Sequence, residues 1–491
     1  VWTQNFPRPA LRIFHPNVSA TYHIQPVVTR AMSGVDRSKR FYNSPQPQKH
    51  MKSHAPRLKN RQVLSRTLFL GVSALSAASL HAQATWVGDT SNDWNNAANW
   101  SSDPATPSGN FTVNTATGNY PIVTSTPSFT PVDIFIGEGA GATGRVDVVG
   151  GTLSTGTGNW LIMGRNGGTG TLNVTGGTLN AADIHLGRTS NTGTATVNVG
   201  GTGVINTTGA IVLGDGDNAG ATAVGNFNVN AGGTVNCEND LVLAFAGNSS
   251  TVGTVNIAAG GVFNVASSTK RWLIMSVWDS TSGVLNVNGG TLNLNANTDI
   301  RFSTGSWGPG ASNGASSINL NSGSINMGAG AVVDLNTNAD RAVSNTVNLN
   351  GGTLTTSAIV STKANGARVV NFNGGTLRAA TTNAAFISAT AASAINVMAG
   401  GAIIDSNGFD ISIAKALTAD LVSTGGGLTK KGLGTLTLTG ANTFTGDIVI
   451  EAGTLSINSA FIDDGADVSL TSGSVFDLSF VGSDSIGYLY I

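Results

Sequence analysis

A unit of the form x-Val-Asn-Val-x-Gly-Gly-Thr-Leu-Asn recurs ten times between residues 144 and 404, and it restricts the folds open to this chain more than any other feature. Clear copies are GTLNVTGGTLN at 170–180, GTVNIAAGGVFN at 253–264, GVLNVNGGTLN at 283–293 and NTVNLNGGTLT at 345–355. A second element follows most copies: DIFIG from Asp133, WLIMG from Trp160, DIHLG from Asp183 and DLVLA from Asp240, then WLIMS from Trp272 and DIRFS from Asp299. Each unit thus offers three short strands separated by turns. Within 171–180, Leu172, Val174 and Leu179 fall on one face, and Thr171 and Asn173 on the other. Such period-2 alternation means one buried and one wet face. A single unit of this size cannot bury its face alone, whereas stacked units build a continuous core. The expected fold is therefore all-β, a right-handed parallel β-helix (β-solenoid) with three short strands per coil. Propeller blades need about 40 residues and four strands, which the shorter unit does not supply.

Composition agrees. Charged residues are 10% of the chain and glycines number 65 of 491. Gly, Asn, Thr and Val are poor helix formers, and low charge with many β-branched residues is not the signature of disorder. The Gly-Gly pairs suit tight bends that need positive φ or close backbone approach. Stacking also puts Asn173, Asn198, Asn228, Asn256, Asn286, Asn319, Asn348, Asn371 and Asn396 at one place in successive units, where they would form an amide ladder.

The first 84 residues carry 12 Lys/Arg and one acid, leaving 13 basic against 25 acidic residues in the rest. A nucleic-acid binder needs a basic face, so that class is disfavoured. From Met51 the order is a basic stretch (Lys52, Arg57, Lys59, Arg61, Arg66), an apolar run to Leu80, and Ala82-Gln83-Ala84. This is the layout of a signal peptide cleaved after Ala84. The expected organisation is 1–50 upstream of the true start and outside the mature protein, 51–84 signal peptide, and 85–130 a Trp-rich N-terminal cap. Residues 131–424 are the repeats and 425–491 a terminal repeat. Trp86, Trp94 and Trp100 are expected to pack over the open end of the solenoid. The mature chain is expected to have no transmembrane helix.

The terminal segment contains Gly427, Leu428, Thr429, Lys430, Gly432, Gly434, Thr435, Leu436 and Gly440, followed by Asn442, Thr443, Phe444, Gly446, Gly453, Thr454 and Leu455. It resembles the autotransporter-associated β-strand repeat, roughly GGLTKxGxGTLTLxGxNTYTGxTxVxxGTL. Departures are Lys431 for a small residue, Phe444 for Tyr, and Asp447 for Gly or Ser. The resemblance covers about 30 residues directly. It implies a passenger-type β-helix exported from a Gram-negative cell and displayed on or released from its surface. Leu428, Leu433, Leu436, Leu438, Phe444, Ile448, Ile450 and Leu455 are expected to continue the inward set. No membrane barrel follows, and the last strand lacks a polar cap, so the segment is expected to be truncated, or capped by another chain.

Candidate chemistry is sparse. His185 is the only histidine after residue 84 and is expected on the surface. Cys237, the single cysteine, is expected to be a small buried residue. Gly214-Asp215-Gly216-Asp217-Asn218 resembles a calcium loop but occurs once, and a plain turn is favoured. Asp133, Asp183, Asp240 and Asp299, with Trp160 and Trp272 in equivalent places, would share one outer ridge. That ridge either contacts carbohydrate or is structural, Asp ending turns and Trp covering apolar surface. The carboxylates would stand about 10 Å apart over two rungs, too far for most glycosidase pairs. The expected function is a non-catalytic secreted or cell-surface stalk or adhesin-like passenger, with no cofactor. The alternative is a carbohydrate-binding or polysaccharide-degrading β-helix. Expected partners are cell-surface glycans or an outer-membrane export or anchoring component.

Overall fold

The computed structural model describes residues 11–14 (backbone only), 83–101, 109–278, 280–304, 314–337 and 343–491. The expected upstream segment and signal peptide fall almost wholly outside these. Among the described residues the chain is an all-β parallel solenoid of about 12 turns, with one short 3-10 turn at Ala97–Asn99. A four-residue strand, Leu11–Phe14, pairs antiparallel with Ser483–Ile486.

Like segments lie on like segments. The strand ahead of each Gly-Gly pair stacks in strict register, so that Val174, Val199, Val229, Ile257 and Val287 succeed one another from rung to rung. The segment after the glycines does the same through Leu179, Ile205, Val235 and Phe263. The segment after that forms a second sheet, in which Ile184, Ile211, Leu241, Leu273 and Ile300 align. In Ser282–Leu294 and Ala315–Met327 the first two segments run on as one bulged strand.

Parity fixes what is buried. Leu172, Val174 and Leu179 are fully buried while Thr171 and Asn173 are partly exposed, and the pattern repeats along the column. These aliphatic residues belong to one continuous core, which also takes in Trp86, Trp94 and Trp100. Trp94 lies against Trp100 (ring centroids 4.9 Å) and Phe111 (6.0 Å) within that core. The aromatic region is already part of the sheets: Asn110–Val113 pairs with Ile134–Glu138 and Ile122–Val123 with Asp147–Val148. Gln83 and Ala84 sit in a strand, Gln83–Thr85, paired to Asn110–Thr112, and Ala84 is buried.

Glycine serves two separate needs. At the Gly-Gly bends Gly201, Gly232 and Gly260 have φ of +61°, +78° and +77°, which costs other residues more than it costs glycine. At the inward corner that opens the first strand, need comes from space instead. A Cβ on Gly253 would lie 1.2 Å from the Leu243 carbonyl oxygen, and one on Gly283 1.8 Å from that of Met275.

Candidate functional site

The asparagine column is the most regular polar feature of the molecule. Nδ2 of Asn198 donates to Oδ1 of Asn173 at 2.8 Å, and Asn228, Asn256, Asn286 and Asn319 each repeat the bond to the preceding rung at 2.8 Å. Asn348, Asn371 and Asn396 extend it at 2.7, 2.7 and 2.9 Å. Every bond points the same way, and the chain of amides begins on a charge, Asn173 donating to the Asp147 carboxylate at 2.6 Å. Aligned amide bonds polarise one another. A second ladder runs beside it through Asn180, Asn206, Asn236, Asn264, Asn293 and Asn326, with bonds of 2.8–3.0 Å. Its signal in the sequence is the Asn that closes Gly-Gly-Thr-Leu-Asn.

The Asp and Trp residues do share one ridge. Asp183 pairs with Trp160 and Trp272 with Asp299 across adjacent rungs. The four carboxylates do one repeated job: Oδ1 of Asp133, Asp183, Asp240 and Asp299 accepts the backbone N–H of Trp160, Ala210, Trp272 and Val332 on the next rung, at 2.6–3.1 Å. The bond is made to the next coil, a local turn having been the expectation. Burial pushes the Asp240 carboxyl upward, opposed by the Trp272 N–H. Asp299 is also paired with Lys270 (2.8 Å) and Arg301 (3.5 Å). Both indoles are partly covered by cations, Arg188 lying 5.1 Å from the Trp160 centroid and Arg301 4.8 Å from that of Trp272.

His185 is less exposed than a surface residue. Its side chain is 12% accessible, Nδ1 is 2.6 Å from the Asp215 carboxylate, and its ring centroid is 5.0 Å from that of Trp160. The loop carrying Asp215 and Asp217 therefore closes over the strand, and Asp215 is held by His185 and Arg188 (3.6 Å). Burial raises the Asp217 carboxyl, with Arg188 acting against it. Between these groups Val212, Val242 and Ile274 form a buried apolar strip on the outer side of the sheet, against which Phe245, Trp272 and Trp278 pack. Its apolar outer side had no signal in the two-residue alternation. Cys237 is buried and free.

The terminal repeat is built from buried polar groups. Lys430 follows Ile404 and precedes Ile450 in the inward column, and its residue is wholly buried. Its Nζ shares three N–H groups among four acceptors, Ser406 Oγ (2.9 Å) and the carbonyls of Lys431 (2.9 Å), Gly432 (2.7 Å) and Ala452 (3.0 Å), spanning three successive coils. Burial lowers its pKa to about 8, the Asp405 charge opposing. Buried Asn442 accepts from the Leu417 N–H (2.9 Å) and donates to the Gly440 carbonyl (3.0 Å). Leu428, Leu436, Leu438, Phe444, Ile448, Ile450 and Leu455 are buried as expected. Leu433 is not: it is 71% exposed. Gly432 and Gly434 flank it with φ of +74° and +88°, and the resulting turn projects it outward. The motif residues thus meet the hydrogen-bonding demand of the turns.

Residues 428–457 match the family model described as passenger-associated-transport-repeat. No curated protein matches the chain. The repeat and the parallel solenoid that carries it together fit an autotransporter passenger-type repeat protein.

Proposed function

We propose that the chain is a non-catalytic, secreted or surface-displayed solenoid of a Gram-negative bacterium, acting as a stalk or adhesin-like passenger. We take its coil as right-handed, the hand that parallel crossover connections adopt almost without exception, with three short strands per turn. The passenger-associated-transport-repeat match carries this reading, since that family implies export to the surface. The build of the molecule supports it. The ladders, the Asp-to-backbone bonds and the Lys430 plug all serve stacking of coils, the property a stalk needs. Partners on this reading are cell-surface glycans and an outer-membrane export or anchoring component. Among the described residues no helix is long and apolar enough to cross a membrane.

Surface biotinylation and added protease on intact cells expressing the full chain test the display. Labelling at Lys270, with its side chain 46% accessible, is expected on intact cells, and labelling only after lysis would refute the reading. A second reading, a carbohydrate-binding or polysaccharide-degrading β-helix, is favoured by one observation, the shared ridge of Asp183, Asp240, Trp160 and Trp272. A glycan array with a reducing-sugar assay separates the two. Turnover abolished by Asp240→Asn would establish an enzyme, and binding lost in Trp160→Ala/Trp272→Ala without turnover a binding module.

A further inference from the structure

Charge is distributed unevenly around the coil. Asp133, Glu138, Arg165, Asp183, Arg188, Asp215, Asp240, Lys270, Arg271, Asp299 and Arg301 lie on the third segment of each unit or the loops beside it. From Thr171 to Asn371, the two outward positions flanking each central inward residue of the ladder strands are only Thr, Asn, Ser or Val. The outward positions of the segments after Gly-Gly, from Thr178 to Thr355, are likewise uncharged. No aromatic ring stands among them, because Phe227, Phe263 and Phe372 all point into the core.

This face is also fixed in orientation. Each interior ladder amide gives one N–H to the rung before and accepts one from the rung after, so its carboxamide plane is set. An Asn amide has two N–H groups and two oxygen lone pairs, so one of each is left over from the ladder bonds on every rung, the spare N–H of Asn319 being turned toward Ser317 Oγ at 3.4 Å. The outward groups therefore repeat with the rung, at about 4.8 Å, and Thr171, Thr196, Thr254 and Thr346 place hydroxyls two residues before the ladder in their rungs.

A periodic, uncharged, hydrogen-bonding surface fits a partner with the same three properties. Water molecules joined by hydrogen bonds of about 2.75 Å at the tetrahedral angle have second neighbours about 4.5 Å apart. The rung period departs from that by only about 0.3 Å, and groups already immobilised lose little entropy on contact. We propose that the twin-ladder face binds ice, ordering water against the Asn and Thr groups of successive rungs. Sugar chains are the less favoured occupant of this face, because the indoles of the repeat coils on which they could stack, Trp160 and Trp272, lie on the charged side among the described residues.

The test uses the full chain and a variant in which Thr171→Lys, Thr254→Lys and Thr346→Lys are combined. These sites lie outside the ladder bonds and are three rungs apart, about 14 Å, which keeps the new charges beyond a Debye length of one another. Expected results are thermal hysteresis and inhibited ice recrystallisation by the parent chain, both lost in the triple variant with its β-sheet circular dichroism intact. Lys270→Ala/Arg301→Ala on the opposite side should retain both effects. A folded parent chain without hysteresis, or a triple variant that keeps it, overturns the proposal. Binding to microcrystalline cellulose that the triple substitution removes, in the absence of hysteresis, also overturns it and gives the face to a neutral glucan. None of these outcomes depends on where the chain is displayed.

Discussion

The two ends of the repeat array solve one problem in opposite ways. Where the first strand of each coil begins, the backbone turns inward and brings carbonyls close to the core. In the early coils that corner is occupied by Gly144, Gly170, Ala195, Gly225, Gly253 and Gly283, which leave room for the carbonyls to approach. Further on the same column reads Ser316, Asn345 and Arg368. Asn345 donates to Ser303 Oγ (3.1 Å) and the Leu335 carbonyl (2.9 Å), and Arg368 donates to the Thr390 carbonyl (2.8 Å). Lys430 then fills the interior of the terminal repeat in the same manner. The early coils are closed by close packing, the later ones by buried donors that satisfy the turns. The first arrangement leaves no room for a Cβ at Gly253 or Gly283, and the second depends on its buried polar side chains.

That contrast can be broken at either end. Gly253→Ala carries the largest expected effect, because the new Cβ would sit on the Leu243 oxygen and force the coil apart. A loss of about 3 kcal/mol or more is expected from overpacking, read by urea unfolding, whereas Ser316→Ala in the later half of the same column should cost only about 1 kcal/mol. Lys430→Met, which keeps the bulk of the stem, takes the ammonium from Ser406 Oγ and from the Gly432 and Ala452 carbonyls, while the Lys431 carbonyl keeps the Ser406 N–H at 3.0 Å; it should cost about 2–3 kcal/mol. If it were neutral, the buried ammonium would be mere filling.

The charge on Lys430 gives a further test with a defined sign. Its pKa falls from 10.5 unfolded to about 8 folded. Below about 8 both states hold the proton and the full penalty of burying the charge is present. Between about 8 and 10.5 the unfolded state binds more protons, so stability rises with pH. The gap in unfolding free energy between the parent chain and Lys430→Met should therefore widen across that window in favour of the parent. A flat or opposite trend would show that the ammonium is not buried. Smaller still, Asn228→Ala in mid-ladder should cost about 1–2 kcal/mol and Asn396→Ala at the ladder's end about half that. The exposed Lys431–Glu451 pair, 3.4 Å apart, should contribute about 0–0.5 kcal/mol.

The early half was more legible than the late half for a physical reason. In the early coils residue type and position agree: aliphatic residues alternate with Thr and Asn, glycines mark the bends, and Val174, Val229 and Val287 declare their register. The burial of Trp86, Trp94 and Trp100 could be read because large aromatic residues gain most from joining a core. Later, type and position part company. A lysine is ordinarily exposed, so nothing local announced that Lys430 points inward with its stem in the core. Leu433 erred in the other sense, an apolar residue turned outward by two left-handed glycines. On the Asp and Trp ridge the positions were legible but not their partners, since the backbone N–H groups that donate to Asp133 and Asp240 lie a whole coil away. The strip of Val212, Val242 and Ile274 was hidden because a strand covered on both sides loses its alternation.

Stacking in register is tested most directly by distances between spin labels on one column. With Cys237→Ala as background, labels at Thr171→Cys and Thr254→Cys are three rungs apart, and labels at Thr171→Cys and Thr346→Cys six rungs apart. Rungs of about 4.8 Å predict narrow distributions centred near 14 and 29 Å. Broad distributions, or a second distance that is not about twice the first, would contradict the account.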